Sequence, residues 1–194
     1  MKNLFRAGLV VAVMLPLAGC ISMKSYVDPQ YRRANYESVH RLAQPIPVKV
    51  IAHFETNGSP KPAVDRQLQN QLDLALRSTG AFTPGENAPA SLSVTANNLA
   101  DLGAARAKGF GTGLTFGAAG SMVDDNYEFS FSYQGAAGTH FESSYKHAMH
   151  STVGHASGPA GLTPTTPADA FAQIVRDVTL NFVQDLQDKG LLAR

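Results

Sequence analysis

Four histidines, His140, His147, His150 and His155, fall within sixteen residues, a density that raises zinc or copper ligation through imidazole nitrogen. Period-two alternation along an extended chain argues against a ready-made site. His147 and His150 differ by an odd number and so face opposite sides, while His140 and His150 share a side but stand roughly 33 Å apart at the rise of a strand. A bulge that brings one pair to His155 is the remaining route, and no metal and no cofactor are expected. Asp124, Asp125, Asn126 and Glu128 cluster oxygens without the acid–spacer–acid rhythm and glycine of a calcium loop, so a turn entering a strand is expected there. In Gly154-His155-Ala156-Ser157-Gly158 a serine stands near a histidine, but a nucleophile elbow needs glycine two places before the serine, and His155 occupies that place. With no constellation of acid, base and nucleophile, the chain is expected not to be an enzyme.

Residues 109–123 carry no charge and are rich in glycine. A phosphate cradle is excluded by the lack of a Gly-Lys-Ser/Thr ending, and Gly111, Gly113 and Gly117 have the wrong spacing for a dinucleotide fingerprint. Gly113 and Gly117 form a small-xxx-small pair beside apolar Phe116, which makes these three the candidate interface for membrane or partner. The alternative is that glycine here lets one backbone approach another inside the fold. Both stand at this level.

Cys20 is the only cysteine, so no disulfide can form within the chain. It follows Lys2, Arg6 and an apolar run over 7–17, the n-region and h-region of a secretory signal. That run is well short of the roughly 20 residues that span a bilayer. The tetrapeptide Leu17-Ala18-Gly19-Cys20 resembles the lipobox of bacterial lipoproteins. The resemblance implies that the Cys20 thiol takes a diacylglyceryl group, that cleavage follows Gly19 and that the new amino terminus is acylated. Several chains then hold the protein durably, at about 0.8 kcal/mol per buried methylene. In the Gram-negative sorting scheme that the resemblance brings with it, Asp after the cysteine favours the inner membrane. Ile21 and Ser22 here point instead to the outer membrane, periplasm-facing. Removing residues 1–19 takes Lys2 and Arg6 away, leaving 14 of 16 basic side chains against 15 acidic ones, a formal charge of −1. No electrostatic footprint for nucleic acid remains.

The elements that must position these residues read as one domain over 47–194, behind a signal over 1–19 and a lipid-anchored spacer over 20–46. The spacer holds Pro29, Pro45 and Pro47, Tyr26, Tyr31 and Tyr36, and room for a short helix over 31–42. Extended, it would carry the domain tens of ångströms from the bilayer at roughly 3 Å per residue; the alternative is that its tyrosines pack on the domain. A strand is predicted over 48–54, closed by Asn57-Gly58. A helix follows, with Val64, Leu68, Leu72, Leu74, Ala75 and Leu76 near helical spacing and Gly80 as its stop. A strand over 90–96 comes next, parallel to the first by the default crossover. Tyr127, Phe129, Phe131 and Tyr133 mark one face of a third strand, joined by residues 135–138 to a fourth over 139–153. Thr166, Pro167 and Asp169 then cap a closing helix whose stripe is Phe171, Ile174, Val175, Val178, Phe182 and Leu186. The order β-α-β-β-β-α predicts an α/β (α+β) sandwich with its helices packed on one mixed sheet.

Lipobox, spacer, strand–helix–strand core, hairpin and closing helix together resemble the small periplasmic lipoprotein domains related to the curli-secretion lipoprotein and to the lipoprotein activators of peptidoglycan synthases. The resemblance implies an envelope lipoprotein acting as a non-enzymatic binding or accessory module for another envelope component, and transfers no binding residue. Two alternatives stand beside it: a self-assembling, membrane-associated secretion or pore element, and a small-ligand or metal-binding lipoprotein.

Overall fold

The computed structural model describes residues 23–100 and 121–192. Cys20, and the candidate interface residues Gly113, Phe116 and Gly117, lie outside the described residues. In chain order the elements are β1 (Met23–Val27), a 3-10 turn (Pro29–Tyr31), β2 (Ile46–Thr56), β3 (Ser59–Pro60), α1 (Pro62–Thr79), β4 (Phe82–Pro84), β5 (Ala90–Leu99), β6 (Ser121–Gln134), β7 (His140–Val153) and α2 (Pro167–Asp188). The strands form one open, mixed sheet in the order β1-β7-β6-β5-β2-β3, with β4 also paired to β2. Both helices pack on it, so the expected α+β class and the order of its six main elements hold.

Local chemistry accounts for most of this frame. Asn57 and Gly58 take φ of 50° and 73°, the paired positive values that turn a two-residue hairpin with the twist of its strands. Helix α1 ends where Gly80 adopts φ 68°, a conformation that side chains with a Cβ resist. Its apolar stripe is narrower than the sequence pattern suggests: Leu68, Leu72, Ala75 and Leu76 are buried, while Leu74 is 64% exposed on the outer face. Strand β5 runs parallel to β2 across the crossover, from Val48 opposite Ala90 to Thr56 opposite Asn98. Strands β6 and β7 pair along their whole length, from Ser121 opposite Val153 to Gln134 opposite His140. At the start of α2 the Thr166 hydroxyl accepts from the Asp169 amide at 3.1 Å and donates to its carboxylate at 2.8 Å, meeting an amide that the helix cannot satisfy.

Alternation then decides what is inside. Val48, Val50 and Ala52 of β2, Leu92, Val94 and Ala96 of β5, and Phe129, Phe131 and Tyr133 of β6 all point to the helical face and are buried. Phe182 of α2 is fully buried among them, with ring centroids 4.8 Å from Phe131, 6.1 Å from Phe141 and 6.4 Å from Phe82.

Residues 23–46, the expected spacer, are integrated into the fold from Met23 on. Strand β1 pairs with β7 through five register positions, and Ser25 exchanges backbone hydrogen bonds with Thr165 at 2.9 and 2.8 Å. The chain then crosses α2. Asn181 Oδ1 accepts from the amides of Arg33 and Ala34 at 3.0 and 2.9 Å, and its Nδ2 donates to the Tyr31 carbonyl at 3.0 Å. Further along, the Arg33 guanidinium grips Asp185 with two bonds, and Gln187 accepts from the His40 amide at 2.9 Å. Asp177, Thr179 and Asn181 of α2 are buried beyond its apolar stripe, and the strap covers Asn181. Of the expected short helix over 31–42, only turns are present.

Candidate functional surfaces

The histidines occupy three unlike environments, and the alternation argument fixes which. On β7, His147 points to the helical side and His140 and His150 to the other. His140 meets Gln134 and Glu142 at the hairpin end. His150 lies between two carboxylates: its Nδ1 donates to Asp124 at 2.7 Å, and its Nε2 is 3.8 Å from Asp28. His147 is fully buried under the Tyr31 ring, at 5.4 Å between centroids. Its Nδ1 lies 2.9 Å from the Ala148 amide and 3.2 Å from the Ala148 carbonyl. Its Nε2 is 3.5 Å from Asp177 and makes no hydrogen bond. No group of three metal-ligating side chains converges among the described residues.

The acidic cluster is divided between the two faces as well. Asp124 serves His150, whereas Asp125 turns to the helical side, bonds the Asn98 amide at 3.4 Å and has its carboxyl pushed up by burial. Ser157 and His155 belong to the loop after β7. That loop lies against β1: a Cβ on Gly158 would fall 2.1 Å from Tyr26 Cζ, so only glycine lets it pass over the ring.

Where the strap crosses α2, Tyr145, Asp185 and Arg33 form a second polar cluster. The Tyr145 hydroxyl donates to Asp185 at 2.7 Å, and the guanidinium stands 5.5 Å over the Tyr145 ring. Burial raises the Tyr145 pKa, and the hydrogen bond to Asp185 raises that of Arg33. These shifts hold Tyr145 neutral and Arg33 charged, as suits a clamp and not a proton shuttle.

The face of the sheet away from the helices is different in kind. Alternation sends Ser91, Ser93 and Thr95 of β5, Ser130 and Ser132 of β6, and Ser144 of β7 to this side. Register then places them in rows: Ser93 opposite Ser132, which is opposite Glu142, and Thr95 opposite Ser130, which is opposite Ser144. Their bonds to one another are long, 3.5 Å from Ser130 to Ser144 and 3.4 Å from Ser132 to Glu142, so their hydrogen-bonding capacity is largely unspent. Of these, Ser93, Thr95, Ser130, Ser132 and Ser144 line a shallow groove along β5, β6 and β7. Lys49, Ile51 and His53 of β2 flank it on one side and Lys146 on the other. These serines lie at the polar positions of recognisable strands, but sequence alone does not reveal that register aligns them across three strands.

No protein-family model matches this chain, and no curated protein does. Among solved structures it is loosely similar to a PelC dodecamer from Paraburkholderia phytofirmans, at 12% identity over 84% of this chain and 97% of that one, with a TM-score of 0.40. It is also loosely similar to a minor lipoprotein from Acinetobacter baumannii, at 11% identity over 77% of this chain and 95% of that one, with a TM-score of 0.37. Likenesses this loose assign neither a family nor a role.

Proposed function

We propose that the chain is a lipid-anchored lipoprotein of the bacterial envelope, held in the outer membrane through Cys20, and that its domain is a non-enzymatic module that docks another envelope protein. The observation that carries the anchor is Leu17-Ala18-Gly19-Cys20, directly behind a signal-like apolar run. Among the described residues no helix is long and apolar enough to cross a membrane.

The docking surface we assign to the hydroxyl-rich face. Its side chains are short, so immobilising them costs little of the ordering entropy that long side chains incur on association. Each hydroxyl both donates and accepts, which suits a polar partner surface. Photocrosslinking in cells tests this, with a photoreactive residue placed at Ser132 or, as a control on the outer face of α1, at Leu74. A discrete adduct is expected from Ser132 and none from Leu74, and Ser93→Arg should reduce the Ser132 adduct to background. Equal adducts from both positions, or none from Ser132, would contradict the assignment.

A further inference from the structure

We infer that the domain stands directly on the bilayer on the end of the sheet formed by Met23, Ser121 and Val153, with the β6–β7 hairpin tip pointing away from it. The inference rests on acylation of Cys20 and goes beyond it, because a lipid anchor by itself fixes an address and not an orientation.

Covalent geometry supplies the first constraint. Met23 is the third residue after Cys20, and consecutive Cα atoms are about 3.8 Å apart, so the two Cα atoms can be separated by no more than about 11 Å. Met23 is itself fixed. It opens β1 opposite Val153, and Val153 lies opposite Ser121. Ser25, two residues on, is fastened on both sides, by its backbone to Thr165 and by its hydroxyl to Ser151 at 2.9 Å. The reach expected of a spacer over 20–46 is therefore absent from Met23 onward. The Asn181 strap behind β1 prevents the chain from paying out.

The surface at this end supplies the second constraint. Met23 is 48% exposed and Met122, one row back across β7, is 39% exposed. Leu99, the last residue of β5, is 41% exposed on the same half of the sheet. Lys24, also exposed, stands in the same row as Met122, where a cation meets lipid headgroups with its stem on apolar surface. The turn at the opposite end, Gly135-Ala136-Ala137-Gly138, presents no large apolar side chain. From Ser121 to Gln134 the strand rises on the order of 40 Å. The hydroxyl face is thus presented upright, with Ser132 near the far end of β6.

Depth-dependent fluorescence quenching tests this on the intact acylated protein. It would be reconstituted in vesicles of phosphatidylethanolamine and phosphatidylglycerol that carry a headgroup nitroxide. A fluorophore is attached at Lys24→Cys or at Ala137→Cys, both exposed positions. Strong quenching at Lys24→Cys and none at Ala137→Cys is the expected result. Vesicle-bound protein quenched equally at both positions, or more at Ala137→Cys, overturns the orientation while leaving the anchor intact. Protein that fails to float with the vesicles and lacks acyl groups by mass overturns both.

Discussion

Phe182→Ala is expected to destabilise the domain by about 3–5 kcal/mol, the range for truncating a fully buried aromatic ring. Phe182 is fully buried where α2 meets the sheet, stacked at 4.8 Å on Phe131 and within 6.5 Å of Phe82, Phe141 and Tyr133. Its neighbours come from β4, β6 and β7, so no single element can move in to fill the void without disturbing the register of the others. A domain of ordinary stability has about 5–15 kcal/mol in total, so the variant should lose a large share of it. Thermal denaturation of the soluble Cys20→Ala chain is the measurement, with a fall of on the order of 10 °C expected. Phe182→Leu, which keeps most of the volume, should recover more than half of the loss. A fall of under a few degrees for Phe182→Ala would mean that the aromatic cluster does not organise the core.

Asn181→Ala is expected to cost about 2–4 kcal/mol by a different route, because it strands backbone groups whose partners are deleted. Asn181 is 2% exposed and meets two amides and a carbonyl of the strap, and Ala34 beside it is also 2% exposed. Hydrogen exchange separates this from a general loss of stability. Amides over residues 31–42 should exchange much faster in the variant, while β5 and β6 keep their protection, because the strap can lift without opening the sheet. Uniform acceleration would contradict a local clamp.

Which parts of this fold are legible in the sequence follows from where the ordering information lies. The hairpin of β6 and β7, both helices and the cap at Thr166 are written in local periodicity and turn chemistry, and they are present as expected. Strands β1, β3 and β4 are only two to five residues long. Their pairing depends on distant partners, Val153 for Met23 and Ile46 for Phe82, and no local pattern announces that. Asn181 reads as the solvent face of an amphipathic helix and is buried because a segment about 150 residues away in sequence covers it, while Asp177 is buried beside His147. Leu74 fails in the other direction, apolar in pattern and exposed in fact.

The same division holds for function. The proposed anchor rests on a linear motif, Leu17-Ala18-Gly19-Cys20, whereas the hydroxyl face exists only once three strands are in register. Histidine density proved a poor guide, since one pleat separates His147 from His150 and gives them opposite environments. The uncharged residues 109–123 attracted attention by composition, and the interface residues chosen there, Gly113, Phe116 and Gly117, lie outside the described residues.

Anchoring by Cys20 can be read from the mass of the amino-terminal peptide recovered from cell envelopes. That peptide is expected to begin at Cys20 and to bear diacylglyceryl and amide-linked acyl groups, absent from the Cys20→Ala chain, which should leave the membrane fraction. A peptide with a free Cys20 thiol, or one that begins at another residue, would contradict it.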